Sequence, residues 1–554
     1  MSEGKVKRGT GLLVFLALWL VFCSWAFATP LFGGPDEPTH SIRAASVARG
    51  QILGPGRPGG FTSVTAPAIY DEMGTKISCW VHDSEITATC AGDFVGSAEE
   101  KETTTYVGRY NPFYYAAVGV PSLAFPDDTG IYLMRLMSTA LAAALFTFAA
   151  LAAMRARRPP LALLGLAFCL TPMACFLAGV INPNGMEIAA AACLWTAGLL
   201  VFDPRTRGPA AIAFTVLGAS VLALSRGLSP VWLVLIVALQ ALAAVPDWGR
   251  SLFSDRKLRL PAAVVVVVAG AAAVWIVFAD ALTVFPVSKP LHGSTAVIAL
   301  SILGKTDPFL REMIGELQWL DTSVPSLTYA AWFVGVGMVT LLAFIVGRGR
   351  VRVAILACAV LTLLTPLLQI PSVRTTGLLW QGRYSLPLAI GIPVLAVYAL
   401  ADTNAEIYAL VRRIAAALGV ALGVGLVAAF FWAGRRNAVG TDGPFWFLGK
   451  ETWSPPLPFV LLLVGNAVGV SVLVGLFLKV THSVSAPGIA DVHLIRPPSP
   501  PVDRPSRTRQ ATLPPSSPDL GEALRAQSSD DGLYDEPASR HDSATPNAEQ
   551  RETS

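Results

Sequence analysis

Long apolar stretches recur along most of this chain, and short polar segments separate them. A bilayer core of about 30 Å needs roughly 20 apolar residues per helix, so the pattern predicts about twelve membrane spans. We expect them at residues 11–31, 131–154, 161–180, 185–202, 209–224, 228–245, 260–281, 326–347, 351–370, 384–401, 412–433 and 457–479. Several are short, so one or two could be re-entrant or merged. The first is interpreted as a retained helix, with a cleaved signal peptide ending near "FATPLFGGPDE" as the alternative.

Lysine and arginine residues in the short segments predict how these spans are oriented. With twelve spans, the basic residues fall on one side at the N-terminus and in the segments 155–158, 205–207, 250–259, 348–352 and 412–413. That side is expected to be cytoplasmic. The interpretation is therefore a multi-pass protein of the cell membrane with both termini in the cytoplasm. It places residues 32–130, 282–325, 371–383 and 434–456 outside.

This topology divides the chain into five expected parts. They are a cytoplasmic N-terminus (1–10), a first transmembrane helix (11–31), an external loop domain (32–130), a transmembrane bundle (131–480) and a disordered cytoplasmic tail (481–554). The external loop contains many aromatic residues, and "YNPFYYAAVGVPSLAF" is typical of an interfacial helix, so we expect a large ordered loop. The tail is rich in Pro, Ser and Asp and cannot bury enough apolar surface to fold. Whether the tail binds a cytoplasmic partner or is only solvated is left open.

Composition narrows the classes of function. Hydrophobic residues make up 53% of the chain and charged residues 14%, against about 25% charged in soluble domains. This disfavours an ordinary cytoplasmic enzyme, a nucleic-acid binder and a disordered scaffold. The net charge of +4 averages a basic membrane body and an acidic tail, so no nucleic-acid partner is predicted.

The cysteine pattern predicts one disulfide and no metal site. Five of the seven cysteines lie in predicted spans, where a thiol behaves as a small hydrophobe. Cys79 and Cys90 share the first external loop, where oxidation is permitted, so we expect a disulfide; two free thiols are the alternative. A Walker loop does not occur in the sequence, so no nucleotide site is predicted, and a G-x-S-x-G elbow and an H-E-x-x-H motif do not occur either.

The strongest local motif is "GGPDEPTHSIRAASVARG" at residues 33–50. Asp36 and Glu37 follow the first span directly and lie between two prolines, and His40 and Arg43 come next on the start of a predicted helix. Charged groups at a membrane boundary are candidates for function. A carboxylate here suits a general base or a metal ligand. Capping of the helix by Thr39 or Asp36, with Glu37 favoured by the helix dipole, is equally open.

Further polar residues lie at the expected external ends of spans: Arg135, Asn182, Asn184, Arg383 and Tyr384. A lone arginine at a span end is more often an anchor, and Asn184 with Glu187 fits a capping box. Positive-inside sorting should nevertheless deplete external arginines. If the external arginines that remain lie close together, they would suit binding of an anionic lipid headgroup such as a phosphate. They are Arg43, Arg135, Arg226, Arg374 and Arg383.

Four motifs in order resemble a family of bacterial polytopic membrane proteins that carries a domain-of-unknown-function label and is common in actinobacteria. They are "GGPDEPTHSIRAASVARG", "NPFYYAAVGVPS", "INPNGMEIAAAA" and "QGRYSLPL", and the resemblance covers roughly residues 10–435. That family is similar to the GT-C superfamily of membrane glycosyltransferases, which use polyprenyl-phosphate sugars on the outer face. In protein O-mannosyltransferases and aminoarabinose lipid transferases the acidic motif is an Asp-Glu pair, which Asp36 and Glu37 match.

The resemblance implies an all-α, GT-C-like polytopic fold. It also implies Asp36 as catalytic base with Glu37 assisting, and a donor phosphate bound by Arg383 first, then by Arg135 and Arg43. Substrate contacts are also expected from His40, Asn182, Asn184 and Tyr384. The implied partners are a polyprenyl-phosphate-linked sugar, a cell-wall or lipid glycan acceptor and membrane lipid, and a divalent cation is left open.

Three hypotheses follow from the sequence. The first is a membrane glycosyltransferase of the outer face. The second is a transporter or flippase for lipid-linked saccharides, which the scarcity of charge inside the predicted spans disfavours. The third is a non-catalytic assembly protein of the cell envelope.

Overall fold

The computed structural model describes residues 8–57, 60–94, 96–244, 249–250, 254–283 and 289–483. The chain divides into two units, residues 1–488 and 489–554, and all described residues belong to the first. The expected tail therefore lies almost entirely outside the described residues.

The described part is predominantly helical. The helices are α1 (Arg8–Ala28), α2 (Glu37–Ala48), α3 (Ile69–Ile77), α4 (Pro112–Val118), α5 (Asp128–Ala153), α6 (Pro159–Cys169), α7 (Pro172–Ala178), α8 (Pro183–Phe202), α9 (Pro209–Ser225), α10 (Ser229–Ala243), α11 (Arg259–Phe278), α12 (Thr295–Leu303), α13 (Thr306–Ile314), α14 (Ser326–Val346), α15 (Gly349–Leu364), α16 (Ile370–Thr376), α17 (Gly382–Ala389), α18 (Gly391–Leu400), α19 (Ala405–Val439) and α20 (Phe459–Ser483). Two antiparallel strand pairs join β1 (Thr62–Pro67) with β2 (Glu100–Thr105), and β3 (Glu316–Leu317) with β4 (Thr322–Ser323).

Within the described ranges, nine helical segments are long and apolar enough to cross a membrane. The pair α6 and α7 adds a tenth if it forms one span, but it bends by 68°. Two further apolar helices, α9 and α10, have only 17 and 15 residues. At about 1.5 Å per residue they fall short of a bilayer core of about 30 Å. A helix or helix pair lies at each expected span, but the expected count of twelve membrane-crossing helices is not confirmed.

Local sequence explains where several of these helices begin. Proline is the first residue of α6, α7, α8 and α9, where its missing N–H would be unsatisfied in any case. Asn182 caps α8 by accepting a hydrogen bond from the backbone N–H of Asn184 at 3.0 Å. Pro172, at the start of α7, directly follows the break between α6 and α7.

Helix α8 lies at the centre of the packed body and α11 at its edge. All residues of the apolar window of α8 are buried, and α8 contacts α5, α7, α9 and α10. Only 6% of the corresponding window of α11 is buried, although its mean hydropathy is 2.5. An apolar helix with an exposed surface of this kind fits contact with lipid rather than with water.

Residues between α1 and α5 form a folded segment. Strands β1 and β2 pair from Thr62 opposite Thr105 to Pro67 opposite Glu100. A disulfide joins Cys79 to Cys90, with 6.2 Å between their Cα atoms. Helix α4 covers part of the expected interfacial helix. A short 3-10 turn at Val120–Leu123 follows it, and exposed apolar side chains line both elements.

Candidate functional site

Asp36 lies in a tight turn between α1 and α2. Its backbone has φ 61°, in the left-handed region that few residues other than glycine adopt. The two glycines before Pro35 lie where a side chain would have little room. A Cβ on Gly34 would lie 2.8 Å from the Cβ of Val180, and one on Gly33 would lie 3.0 Å from the carbonyl oxygen of Pro30. The turn is therefore pressed against the segment that precedes α8.

The carboxylate of Asp36 makes two contacts that come from distant parts of the chain. Its Oδ1 accepts a hydrogen bond from the hydroxyl of Tyr106 at 2.5 Å, and its Oδ2 contacts Nη2 of Arg383. Within the described residues its side chain makes no capping hydrogen bond to α2. Capping was the alternative role for Asp36, and the structure instead directs this carboxylate towards a tyrosine and an arginine.

Arg383 is held in place by the way α17 begins. A Cβ on Gly382 would lie 2.0 Å from the carbonyl oxygen of Phe309, so only glycine fits there. The N–H of Gly382 donates to Oε2 of Glu312 at 2.5 Å, which links α13 to the first turn of α17. Arg383 follows directly and is fully buried. Its Nε and Nη1 have no hydrogen-bond partner among the described residues.

A second arginine lies close to Arg383, with Tyr384 between them. The guanidinium carbon of Arg226 lies 4.6 Å from the centre of the Tyr384 ring, and that of Arg383 lies 5.2 Å from it. The Arg226 guanidinium also lies 6.0 Å from the Tyr110 ring. In the part of the chain that the structure describes, the buried Nε of Arg226 has no partner. Two guanidiniums thus present unpartnered nitrogen atoms beside the carboxylate of Asp36.

A buried acid of α8 lies beside Arg226. Oε2 of Glu187 lies 3.8 Å from Nη1 of Arg226 and accepts a hydrogen bond from Nδ2 of Asn184 at 2.9 Å. Its Oε1 accepts from the hydroxyl of Ser229 at 2.6 Å. Asn182 connects the same end of α8 to the Asp36 turn, because its Nδ2 donates to the carbonyl of Pro35 at 2.8 Å. The capping residue of α8 is Asn182, so the expected capping box of Asn184 and Glu187 is not formed.

Charge and burial set the protonation of this cluster. Burial raises the pKa of Asp36, but the charge of Arg383, the Tyr106 hydrogen bond and the charge of Arg226 together hold it below its ordinary value. Burial lowers the pKa of His40 to about 3, with both arginines acting in the same direction. Asp36 is therefore ionised and His40 neutral at physiological pH.

Glu37 forms a different arrangement from its neighbour. Both Glu37 and Arg135 are fully buried, and two hydrogen bonds of 2.7 Å join them. The remaining N–H groups of Arg135 donate to the carbonyls of Ala26, Thr29 and Pro30, each at 2.7 Å. All five donors of this guanidinium are thus engaged by protein groups. The pair joins the end of α1 to the start of α2.

His40 and Arg43 lie one and two turns further along α2. Nδ1 of His40 lies 2.8 Å from the hydroxyl of Tyr115. Arg43 donates to the carbonyl of Tyr110 at 2.8 Å and to that of Gln51 at 3.3 Å. Arg43 therefore supports the loop that contains Tyr110, whose ring faces Arg226.

A family model matches residues 18–392 of this chain, and its description is predicted membrane protein (DUF2142). The chain belongs to this family. Among solved structures, the chain is similar to ArnT from Cupriavidus metallidurans bound to undecaprenyl phosphate, with 13% identity and a TM-score of 0.39 over 87% of this chain and 78% of that one. The apo state of the same protein gives 13% identity and a TM-score of 0.38, over 85% and 77%. No curated protein matches the chain.

The region matched by the DUF2142 family contains every candidate residue. The structure brings Asp36, Arg383 and Tyr384 together with Arg226, and it places Glu37 and Arg135 in a separate buried pair. Arg374 lies apart from them. It is exposed and donates to the carbonyl of Gly293 and the hydroxyl of Thr295.

Three groups at the site were not among the sequence candidates: Tyr106, Tyr110 and Glu187. Glu187 carried a usable signal, because an acid inside an apolar helix is rare without a function or a partner. Tyr110 belongs to the segment interpreted as an interfacial helix, and Tyr106 was expected only as one of the aromatic residues of the external loop. The described residues contain no group of three or more His, Cys, Asp or Glu side chains that could hold a metal ion.

Proposed function

We propose that this protein transfers a sugar from a polyprenyl-phosphate donor to an acceptor of the cell envelope, at the outer face of the membrane. One observation supports this most: the Asp36 carboxylate lies against the fully buried Arg383 and its neighbour Arg226, which is 14% exposed, and both arginines have unpartnered nitrogen atoms among the described residues. The proposal includes the topology expected from the basic residues. In it, residues 32–130 lie outside, α9 and α10 complete a bundle of twelve spans, and both termini are cytoplasmic.

The arginine cluster suits the phosphate of such a donor. Guanidinium groups bind phosphate oxygens through paired N–H groups, and these bonds strengthen where water is excluded. Arg383 offers Nε and Nη1, and Arg226 offers Nε. When the bond from the sugar C1 to the phosphate oxygen breaks, the electron pair and its charge remain on the polyprenyl phosphate. Two guanidiniums beside that oxygen would stabilise the developing charge.

Asp36 would act as the general base. The acceptor hydroxyl forms the new bond to the sugar C1 and transfers its proton to Asp36 as the phosphate leaves. Arg383 and Arg226 hold the pKa of Asp36 low in the free protein. A bound phosphate would neutralise these cations and so raise the basicity of the carboxylate when it is needed. The side chain of Asp36 is 24% exposed, so an acceptor hydroxyl can reach it.

The residues of α8 favour transfer over transport. A path for a lipid-linked saccharide needs polar groups along the depth of the membrane. Glu187 lies near the start of α8 and is paired with Asn184, Ser229 and Arg226 at the same end as Asp36. It extends the Asp36 cluster and marks no path along the helix.

Complementation of a deletion strain tests the proposal, with envelope glycan composition as the readout and protein levels matched. We expect wild type to restore a sugar that the deletion lacks, and Asp36→Asn and Arg383→Gln to fail. Arg374→Gln is the matched control, because it removes an exposed arginine outside the cluster and should restore the sugar fully. Full restoration by Asp36→Asn would overturn the assignment of the base and favour the assembly or transport hypotheses.

A further inference from the structure

We infer that Gln369, Trp380 and Gln381 form a subsite for an uncharged, hydroxyl-rich sugar ring, next to the arginine cluster. The inference rests on the proposed function and deepens it by naming the class of sugar. These residues lie just before Arg383 in the chain or against that segment. They are uncharged, whereas the residues on the other side of Tyr384 are arginines and a carboxylate.

Gln369 combines a fixed position with an open donor. It ends the 3-10 turn Thr365–Gln369 and is 7% exposed. Its Oε1 accepts hydrogen bonds from the backbone N–H groups of Leu379 at 3.0 Å and Trp380 at 3.1 Å. Its Nε2 has no partner within the described ranges of the chain. A buried amide donor without a partner carries a substantial cost, which a ligand oxygen would remove.

Gln381, the residue after Trp380, provides an acceptor on the segment that Gln369 binds. It precedes α17, but its side chain does not cap the helix in the described structure. Its Oε1 is buried and, among the residues described, unpartnered. The backbone carbonyl of Gln381 accepts from the N–H of Tyr384 at 3.0 Å, so the residue is fixed in position. An amide donor and an amide acceptor together match the hydroxyl groups of a sugar.

Aromatic rings connect this pair to the arginines. The indole N–H of Trp380 donates to the hydroxyl of Ser385 at 3.0 Å, which orients its ring. The Trp380 and Tyr384 rings meet edge to face at 5.8 Å, and Tyr384 contacts both Arg226 and Arg383. Ligand sites commonly combine aromatic walls with a few placed polar groups. A phosphate on the arginines would therefore leave its sugar near Gln369 and Gln381.

The class of sugar follows from these side chains. Gln369, Trp380 and Gln381 carry no charge that would pair with an amino sugar or a uronic acid, and the neighbouring carboxylate of Glu312 is already engaged by the N–H of Gly382. Amides that hydrogen-bond a hydroxyl discriminate strongly against a ligand that lacks it, because the buried groups are then left unpaired. A neutral hexose satisfies both groups.

Transfer kinetics and lipid binding test the subsite with purified protein in lipid nanodiscs. The probes are short-chain polyprenyl-phosphate glucose and mannose, with the sugar-free polyprenyl phosphate as reference. Gln369→Glu retains the acceptor for Leu379 and Trp380 but removes the open donor, and Gln381→Leu removes the acceptor. We expect each variant to raise the KM for the preferred hexose donor by roughly tenfold or more. Inhibition by the sugar-free lipid should change less than about twofold, since the arginine cluster is intact.

The outcomes separate the subsite from the proposed function. If wild type transfers a hexose and both variants match it, the subsite is wrong and the function stands. If wild type transfers neither sugar, competition binding decides. The subsite is supported without the reaction if wild type binds a hexose lipid better than the sugar-free lipid and both variants lose this preference. A wild type that binds neither hexose lipid better than the sugar-free lipid overturns the subsite. Equal weakening of both lipids in both variants also overturns it.

Discussion

The carboxylate of Asp36 contacts the guanidinium of Arg383 across 347 residues of chain. Asp36 lies between α1 and α2, whereas Arg383 is the second residue of α17. Neither partner is placed by its neighbours in sequence alone. The hydrogen bond from Asn182 to Pro35 fixes the Asp36 turn, and Glu312 fixes the first turn of α17. The candidate site therefore exists only when the first loop and the end of the family region are packed together.

This contact should appear as coupling between two substitutions. Arg383 is fully buried, so Asp36→Asn leaves a buried charge with a weaker partner and should cost about 2 kcal/mol of stability. We expect Arg383→Gln to be costly too, and the double variant to cost less than the sum. Thermal unfolding in detergent measures each value. The exposed pair of Arg109 and Asp280 is the control, and its two substitutions should be nearly additive. Additivity at Asp36 and Arg383 would contradict the contact.

The two adjacent acids should fail in different ways. Glu37→Gln weakens a buried pair whose arginine also binds three backbone carbonyls, so we expect a loss of about 3 kcal/mol in stability. Asp36→Asn should mainly abolish sugar transfer. Transfer per folded molecule and thermal unfolding, measured on both variants, separate these effects. If Glu37→Gln unfolds like wild type yet transfers no sugar, Glu37 has a direct chemical role, as the family resemblance implied.

Arg226 should matter for phosphate binding, and Glu187 should act through it. We expect Arg226→Gln to weaken binding of polyprenyl phosphate by roughly tenfold, because it removes one of two guanidiniums. Glu187→Gln should weaken binding less and should have no further effect in the Arg226→Gln background. Equilibrium binding in nanodiscs measures all four proteins, and Arg374→Gln should bind as wild type does. An additional loss in the double variant would show that Glu187 acts independently of Arg226.

The apolar pattern predicted the positions of the helices well because hydropathy is a local property of sequence. The number of helices that cross the membrane stays a prediction. Helices α9 and α10 are apolar but short, and the break before Pro172 bends what the pattern presented as one span. The length and bending of a helix depend on breaks of one or two residues, and a hydropathy average over about 20 residues does not resolve such breaks.

The candidate site was predictable in its residue types and less so in its pairings. Asp36 and Arg383 follow from the family resemblance, and both lie in the cluster. The pairing of Glu37 with Arg135 depends on how α5 packs against the end of α1, which no motif in either segment reveals. Arg226 was recognised only as one of several external arginines. Its role depends on Tyr384, which lies far away in the chain.

The disulfide should stabilise the loop of residues 79–90 rather than the whole body. Cys79 and Cys90 close a short loop that docks on α19, where Arg436 donates to the carbonyls of Asp83 at 2.8 Å and Ile86 at 3.1 Å. A loop of this length gives about 3 kcal/mol in the chain-entropy model. The variant with both cysteines replaced by serine should be cleaved faster by protease within residues 79–90. Reductant should accelerate cleavage of wild type but not of the variant. Equal cleavage of all samples would contradict this role.

His40 should make stability depend on pH below neutrality. Its folded pKa of about 3 lies below the unfolded value near 6.5, so the folded state binds fewer protons between these values. Stability is then fully present above about pH 6.5 and falls by about 1.4 kcal/mol per unit as the pH decreases towards 3. Between pH 6.5 and 5 the expected loss is about 2 kcal/mol.

The variant His40→Asn isolates this contribution. An amide still offers a hydrogen-bonding group near Tyr115 but does not titrate, so the variant should lose less stability than wild type between pH 6.5 and 5. Thermal unfolding in detergent at closely spaced pH values provides the measurement. Asp36 is ionised across this range because its pKa lies below the ordinary value, so its own titration falls at lower pH. Identical pH slopes for the two proteins would show that His40 is solvated and titrates normally in the folded state.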